Sequence, residues 1–123
     1  MAKIMIVDDD VEATSLLESF LSLDGYEAAS INDSTGALNL ANSFVPDLIL
    51  LDLMMPVLDG FKLCRMLRED PKFTRTPVII LTALNDEDSK AVAYGAGASD
   101  YLTKPYRPND LRSMIKILIK NPA

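Results

Sequence analysis

The segment Leu48-Ile49-Leu50-Leu51-Asp52 decides the fold of this chain. Four branched apolar residues in succession are typical of a strand that is buried on both faces, as in the middle of a parallel sheet. The run ends at a carboxylate, and turn signals follow at Pro56 and at Asp59-Gly60. Because ligands bind at the carboxyl ends of strands in open α/β sheets, we predict that Asp52 is the reactive group of the protein.

Strand-like apolar runs alternate with segments of helical periodicity on both sides of this segment. The predicted strands cover residues 3–7, 27–31, 48–52, 78–81 and 101–103. The predicted helices carry their apolar positions within residues 13–21, 37–44, 61–69, 86–94 and 108–119. The buried side of the first helix is expected to consist of Ala13, Leu16, Leu17, Phe20 and Leu21. This alternation predicts that residues 1–123 form a single doubly wound α/β domain, with a five-stranded parallel sheet and five helices.

The composition excludes several classes of function. Apolar residues make up 49% and charged residues 24% of the chain, which is typical of a soluble globular domain. The net charge of −6 argues against binding to nucleic acid or to anionic membranes. No apolar run is long enough to cross a bilayer, and the aspartates at positions 8–10 rule out a secretory signal, so we expect a cytoplasmic protein. The one cysteine, Cys64, is expected to be a small buried hydrophobe, and the absence of histidine excludes soft-metal sites and histidine-based triads.

Polar side chains follow the inner strands at the points where these strands end. Asp8 and Asp9 follow the first strand, and the third, fourth and fifth strands are followed by Asp52, Thr82 and Lys104. Because the ends of parallel strands converge at one edge, we expect these side chains to be neighbours. Three carboxylates within about 5 Å would repel by roughly 3 kcal/mol per pair at an effective dielectric constant of about 20. Lys104 offsets one charge, and oxygen ligands without Cys or His favour Mg²⁺ or Mn²⁺ for the remainder.

Each of these residues also has a purely structural interpretation. Asp9 or Asp10 can cap the following helix, and we prefer that role for Asp10. Asp52 can cap a turn, Thr82 can be a satisfied hydroxyl at a strand end, and Lys104 can be a solvated surface lysine. Taken together, these interpretations would leave three acids without charge compensation at one edge of the sheet. We therefore favour a joint site.

Along nearly its whole length, the sequence resembles the receiver domains of two-component response regulators. The matching motifs, in order, are Ile6-Val7-Asp8-Asp9, Leu51-Asp52 with Met55-Pro56 and Asp59-Gly60, Leu81-Thr82-Ala83, Gly97-Ala98 with Asp100-Tyr101, and Lys104-Pro105. One such motif would be weak evidence, whereas the complete ordered set is highly specific. The resemblance implies the flavodoxin-like receiver fold with strand order 2-1-3-4-5.

The resemblance also implies the chemistry of the site. Asp52 is then the phosphoacceptor, whose carboxylate takes a phosphoryl group from a phosphohistidine of a sensor histidine kinase or a histidine phosphotransfer protein. The implied Mg²⁺ ligands are the carboxylates of Asp9 and Asp52, that of Asp8 directly or through water, and the Met54 backbone carbonyl. Lys104 is expected to pair with the phosphoryl oxygens.

The implied output is a conformational switch and not an enzyme activity. Thr82 hydrogen-bonds a phosphoryl oxygen and moves toward it, which vacates space for Tyr101. The surface formed by the fourth helix, fifth strand and fifth helix then binds partners differently. The peptide between Lys104 and Pro105 is expected to be cis, which aims the ammonium inward. The resemblance leaves the downstream target unidentified, and we expect no direct contact with nucleic acid or membrane.

Met54 and Leu84 flank the site in this family and influence how water reaches the phosphoryl group. Both residues are apolar here, so neither can orient an attacking water molecule. We therefore expect a comparatively long-lived phosphorylated state.

Three alternatives stand beside this interpretation. A Mg²⁺-dependent phosphohydrolase of the haloacid dehalogenase type also uses an Asp after a parallel strand, but it needs a second Asp two residues later, where this chain has Met54. A flavodoxin-like cofactor binder would need a phosphate loop rich in Ser, Thr and Gly after the first strand, where this chain has aspartates. An interaction module that has lost phosphorylation would not require the constellation, which is complete here.

Overall fold

A parallel sheet forms the centre of the structure, a computed structural model that describes residues 1–120. The strands are β1 (Lys3–Val7), β2 (Glu27–Ile31), β3 (Leu48–Leu51), β4 (Val78–Thr82) and β5 (Asp100–Thr103). All pair in parallel, in the order β2-β1-β3-β4-β5. The predicted doubly wound α/β fold and its strand order are therefore confirmed.

In the described part of the chain, five α-helices and one short 3₁₀ helix connect or follow the strands. They are α1 (Val11–Leu23), α2 (Ala37–Phe44), α3 (Gly60–Glu69), α4 (Glu87–Gly95), α5 (Pro108–Lys120) and the 3₁₀ helix Ser34–Gly36. Aspartate side chains begin three of the α-helices, because Asp10, Asp59 and Asp86 each accept a backbone N–H of the first turn. The capping role preferred for Asp10 is thus confirmed. Within residues 1–120, no helix combines the length and the apolar character needed to cross a membrane.

The central strands bury side chains on both faces of the sheet. Every residue of β3 and β4 is buried, and alternate residues point to opposite faces. Ile49 and Leu51 belong to the core beneath α2, α3 and α4, whereas Leu48 and Leu50 belong to the core beneath α1 and α5. Cys64 is buried in the first of these cores, as predicted. Burial on both faces explains why β3 is a continuous apolar run.

The buried face of α1 differs from the predicted one. Leu17 and Leu21 are buried as expected, but Leu16 is 73% exposed, so the prediction for that residue is wrong. The third buried residue of the helix is Thr14, whose polarity kept it out of the apolar pattern. Because residues 14, 17 and 21 are spaced by three and four, they share one side of the helix, and this side faces the sheet.

The first residue of α3 packs directly against the backbone that follows β3. A Cβ atom at Gly60 would lie 2.2 Å from the carbonyl oxygen of Asp52 and 2.7 Å from the Cα atom of Leu53. The N–H of Gly60 also donates to the Leu53 carbonyl at 3.1 Å. Only glycine permits this approach, which fixes the start of α3 relative to Asp52.

Gly60→Ala is expected to lower the free energy of unfolding by about 2 to 3 kcal/mol, because the added methyl group would meet backbone atoms that cannot move independently. Urea denaturation measures the change. Gly95→Ala is the matched control, since no atom beyond its chain neighbours and the backbone of its own helix lies within 4 Å of the position its Cβ would take. If Gly60→Ala and the wild type unfolded with equal free energies, the close packing described here would be wrong.

Candidate functional site

The ends of β1 and β3 bring two aspartates together. These strands pair with Val7 opposite Leu51, so the residues that follow them, Asp8 and Asp52, leave the sheet side by side. The N–H of Asp52 donates to the Val7 carbonyl at 3.0 Å, although β3 itself ends one residue earlier than predicted. Asp8 and Asp52 are 3% and 8% exposed, whereas Asp9 is exposed to solvent.

The three acids form a compact group of oxygen ligands. One carboxylate oxygen from each of Asp8, Asp9 and Asp52 lies within 4.8 Å of the other two. A set that contains only carboxylate oxygens suits a hard divalent cation such as Mg²⁺ or Mn²⁺. The structure therefore brings together the acids that the sequence places at this edge of the sheet.

The ammonium group of Lys104 bridges two of the three acids. Its Nζ lies 2.6 Å from Asp8 Oδ2 and 3.3 Å from Asp52 Oδ2. The backbone N–H of Lys104 donates to the Thr82 carbonyl at 2.8 Å, which holds the end of β5 against the end of β4. The peptide bond between Lys104 and Pro105 is cis. The lysine is thus fixed by its backbone at one end and by two carboxylates at the other.

Burial and charge act in opposite directions on this ion pair. Removal from water raises the pKa of Asp8, and hydrogen bonds from Lys104 and from the Asp10 N–H only partly offset that rise. Burial lowers the pKa of Lys104, but the hydrogen bond to Asp8 and the charge of Asp52 outweigh it, so this pKa is raised above its ordinary value. Lys104 therefore stays charged at neutral pH, and the ionised form of Asp8 costs the folded protein stability.

Loop N–H groups orient both buried carboxylates. Asp8 Oδ1 accepts the N–H of Asp10 at 3.0 Å, and Asp52 Oδ1 accepts the N–H of Met54 at 3.1 Å. In each acid the other oxygen, Oδ2, faces Lys104. Because one oxygen is held by the backbone and the other by the lysine, neither carboxylate can rotate without losing a hydrogen bond.

Thr82 and Tyr101 both contact the loop between β4 and α4. Thr82 is fully buried, and its Oγ1 accepts the N–H of Leu84 at 3.5 Å, which is at the limit of hydrogen bonding. The hydroxyl of Tyr101, a buried residue, donates to the Leu84 carbonyl at 2.6 Å. The ring centroid of Tyr94 on α4 lies 6.4 Å from that of Tyr101. The loop is therefore tied to two neighbouring strands.

Two polar residues that follow β2 hydrogen-bond to the loops that carry the acids. The side-chain amide of Asn32 donates to the Asp8 carbonyl at 2.9 Å, and the Ser34 hydroxyl donates to the Pro56 carbonyl at 3.3 Å. The rule that located the other site residues also applies to these two, because β2 ends at Ile31 on the same edge of the sheet. Sequence reasoning missed them because it applied this rule only to the inner strands.

Comparison with known proteins gives one consistent family. The model of the response regulator receiver domain matches residues 4–116. The probable transcriptional regulator ycf27 of Guillardia theta is 38% identical over 118 residues, which is 96% of this chain and 45% of that protein. The DNA-binding dual master transcriptional regulator RpaA of Synechocystis sp. is 38% identical over 120 residues, which is 98% of this chain and 50% of that protein. This chain thus spans about half the length of these curated relatives.

The name of RpaA corrects one expectation from the sequence. We expected no direct contact between this chain and nucleic acid, but this relative, which is about twice as long, is described as DNA-binding. The expectation therefore cannot be applied to the longer relatives. The net charge of this chain bears only on the residues it contains.

Solved structures agree with the family in fold. The receiver domain of the Francisella response regulator 1452 is 35% identical, covers 98% of both chains and has a TM-score of 0.89. The chemotaxis protein CheY4 of Vibrio cholerae is 30% identical, with 95% of this chain and 98% of that chain covered and a TM-score of 0.90. The motif residues, the strand order and these similarities together show that the chain belongs to the receiver domain family of two-component response regulators.

Proposed function

We propose that the protein is a phosphorylation-activated signalling switch of a two-component system. In this proposal Asp52 accepts a phosphoryl group from a phosphohistidine of a sensor histidine kinase or a histidine phosphotransfer protein. One observation carries it: a carboxylate oxygen of Asp52 lies within 4.8 Å of those of Asp8 and Asp9, and Lys104 Nζ lies 3.3 Å from Asp52 Oδ2. A nucleophilic acid, a cation site and a lysine are the groups that phosphoryl transfer to a carboxylate requires.

The transfer step exchanges one bond to phosphorus for another. A carboxylate oxygen of Asp52 attacks the phosphorus atom and forms an acyl phosphate, while the bond from phosphorus to the imidazole nitrogen breaks. Asp8, Asp9 and Asp52 would hold Mg²⁺ or Mn²⁺, with the Met54 backbone carbonyl as a further proposed ligand. When bound, the cation neutralises charge on the phosphoryl oxygens.

Lys104 is the proposed partner of the phosphoryl oxygens. Its ammonium spans Asp8 and Asp52, so it already stands beside the carboxylate that would carry the phosphoryl group. Phosphorylation adds roughly −1.5 to −2 charges and three acceptor oxygens, which then compete with Asp8 for the ammonium. The hydroxyl of Thr82 supplies a second proposed hydrogen bond to these oxygens.

The proposed signal passes from Thr82 to the surface formed by α4, β5 and α5. Thr82 Oγ1 accepts only a long hydrogen bond from the Leu84 N–H, so the hydroxyl loses only this weak bond when it moves toward new acceptors. The Tyr101 hydroxyl donates to the Leu84 carbonyl, so a displacement of this loop would also move Tyr101 on β5. Ala93 is the only residue of α4 that is buried, and an element with few buried contacts is easily shifted.

The proposed setting is the cytoplasm, where the domain acts as a signalling module and not as an enzyme. Its direct partner is the phosphohistidine donor, for which the family gives the chemical class. The output is proposed to pass through a protein surface. DNA binding in a longer protein, as in the name of RpaA, is compatible with this arrangement.

Asp52→Asn is expected to abolish phosphorylation by acetyl phosphate in the presence of Mg²⁺, because an amide is a far poorer nucleophile than a carboxylate. Mass spectrometry of the intact protein detects the added phosphoryl group. Asp10→Asn is the matched control, since asparagine caps a helix as well as aspartate does and Asp10 lies outside the group of three acids. Labelling of Asp52→Asn to the extent of the wild type would refute the proposal.

Asp8→Asn is expected to be more stable than the wild type in EDTA at neutral pH. Burial raises the pKa of Asp8 above its ordinary value of 3.8, so the stability linked to its proton is present at low pH and is lost as the pH rises through the folded pKa. The advantage of the variant should therefore shrink as the pH falls toward 3.8.

Mg²⁺ is expected to reverse this order of stability. At about one hundred times its dissociation constant, the ion stabilises a protein by about 2.7 kcal/mol, and the variant lacks one of the ligands. Urea denaturation in EDTA and in Mg²⁺ measures both effects. A wild type that is the more stable of the two in EDTA, or an equal gain from Mg²⁺ in both proteins, would contradict this description of the charges.

Met54→Asn is expected to shorten the lifetime of the phosphorylated state several-fold, because an amide can orient an attacking water molecule and a thioether cannot. Met54 is 54% exposed, so the amide would be accessible to water. Loss of radiolabelled phosphate from the two proteins gives the lifetimes. Met66→Asn, which changes a partly exposed methionine of α3, is the control, and equal lifetimes for wild type and Met54→Asn would reject the hypothesis.

A further inference from the structure

We infer that Asn32 is a positioning residue for the cation site, because its side-chain amide holds the peptide group that joins Asp8 to Asp9. The inference rests on the proposed function, which supplies the cation. Asn32 lies outside the group of three acids and directly follows Ile31, the last residue of β2. Its amide donates to the backbone carbonyl of Asp8, so in this inference it acts through Asp8.

The Asn32 amide links the loop after β1 to the first turn of α1. Its Nδ2 donates to the Asp8 carbonyl at 2.9 Å and to Thr14 Oγ1 at 3.0 Å. Asp8 is the first residue after β1, and Thr14 lies in the first turns of α1 on its buried face. One side chain that follows β2 thus ties the residue after β1 to α1, on either side of Asp9 and Asp10.

Hydrogen bonding within α1 determines the direction of the hydrogen bond between Asn32 and Thr14. The hydroxyl of Thr14 donates to the Val11 carbonyl at 3.0 Å, so its oxygen can only accept a bond from Asn32. The Asp8 carbonyl is an acceptor as well. Both partners therefore require a donor, and the NH₂ group supplies two protons. An aspartate at this position would have the same shape, but its carboxylate cannot donate a hydrogen bond to the Asp8 carbonyl or to Thr14 Oγ1.

The position of Asp8 is determined at each of its polar groups. Its N–H donates to the Ile31 carbonyl at 3.2 Å, and its carboxylate accepts the Asp10 N–H and the Lys104 ammonium. The carbonyl is held by Asn32. Because this carbonyl belongs to the peptide between Asp8 and Asp9, its hydrogen bond sets how the two side chains are oriented relative to each other.

A neutral brace is suited to a segment with concentrated negative charge. The acids at positions 8 and 9 repel each other, so the loop favours rearrangements that separate them. The Asn32 amide resists such rearrangement without adding a charge that would compete with the cation. Residues that orient metal ligands in this way typically change metal affinity by about 10- to 100-fold when they are replaced.

Asn32→Ala removes the bridge and leaves the net charge unchanged. Titration calorimetry with Mg²⁺ alone is expected to give a dissociation constant about tenfold weaker than that of the wild type. Asn39→Ala, at an exposed position of α2, is the matched control and should bind Mg²⁺ as the wild type does. An unchanged dissociation constant for Asn32→Ala overturns the inference.

Asn32→Asp tests the polarity of the bridge. An added negative charge by itself strengthens cation binding, and Asn39→Asp measures that effect. We expect Asn32→Asp to bind Mg²⁺ more weakly than Asn39→Asp, and equal or tighter binding overturns the inference. The free energy of unfolding in EDTA separates positioning from general support, because a residue that only stabilises the fold would lower this energy and leave the dissociation constant unchanged.

The wild-type titration distinguishes a failure of the role of Asn32 from a failure of the cation site. If the wild type binds Mg²⁺ and Asn32→Ala binds it equally well, only the role of Asn32 fails. If the wild type binds no Mg²⁺, the role of Asn32 and the cation site of the proposed function fail together.

Discussion

Repulsion among carboxylates at one edge of the sheet is the constraint on which this structure depends. Parallel pairing of β1 and β3 delivers Asp8 and Asp52 to neighbouring positions, and both are almost completely buried. The Lys104 ammonium, which arrives from β5, contacts both acids and offsets part of their charge. One ammonium cannot neutralise three carboxylates. The arrangement therefore leaves negative charge uncompensated, and its oxygen ligands are of the kind that suits a divalent cation.

Such a site can persist only because the surrounding backbone does not relax. Each strand that carries one of the buried acids is fixed by packing on both faces, and Gly60 lets α3 approach the Asp52 carbonyl directly. The Asp8 and Asp52 carboxylates are further oriented by N–H groups of their own loops. Apolar burial in the two cores thus stabilises a polar edge that is unfavourable on its own.

Most of the fold and the convergence of the acids could be predicted from the sequence because they follow from local patterns. Continuous apolar runs identify the inner strands, and the polar residue after each run identifies the edge. Asn32 follows the edge strand β2, to which this rule was not applied. The contribution of Thr14 could not be predicted in this way, because a hydrogen bond between side chains of different elements leaves no periodic trace. The prediction for Leu16 was wrong because an apolar residue beside the buried stripe of a helix fits the same spacing as one within it. The phosphoryl chemistry depends on the resemblance and on the proposal.

The two ends of α4 are attached in different ways, and this difference bears on the proposed switch. At its C-terminal end, the guanidinium of Arg68 donates to the Gly97 carbonyl at 2.8 Å and also binds the carbonyls of Phe73 and Thr76. The loop before α4 is instead held by Tyr101 through the Leu84 carbonyl. That loop also follows the buried Thr82. In the proposed switch, a displacement at the site would therefore act on the N-terminal end of α4, whereas Arg68 holds the other end.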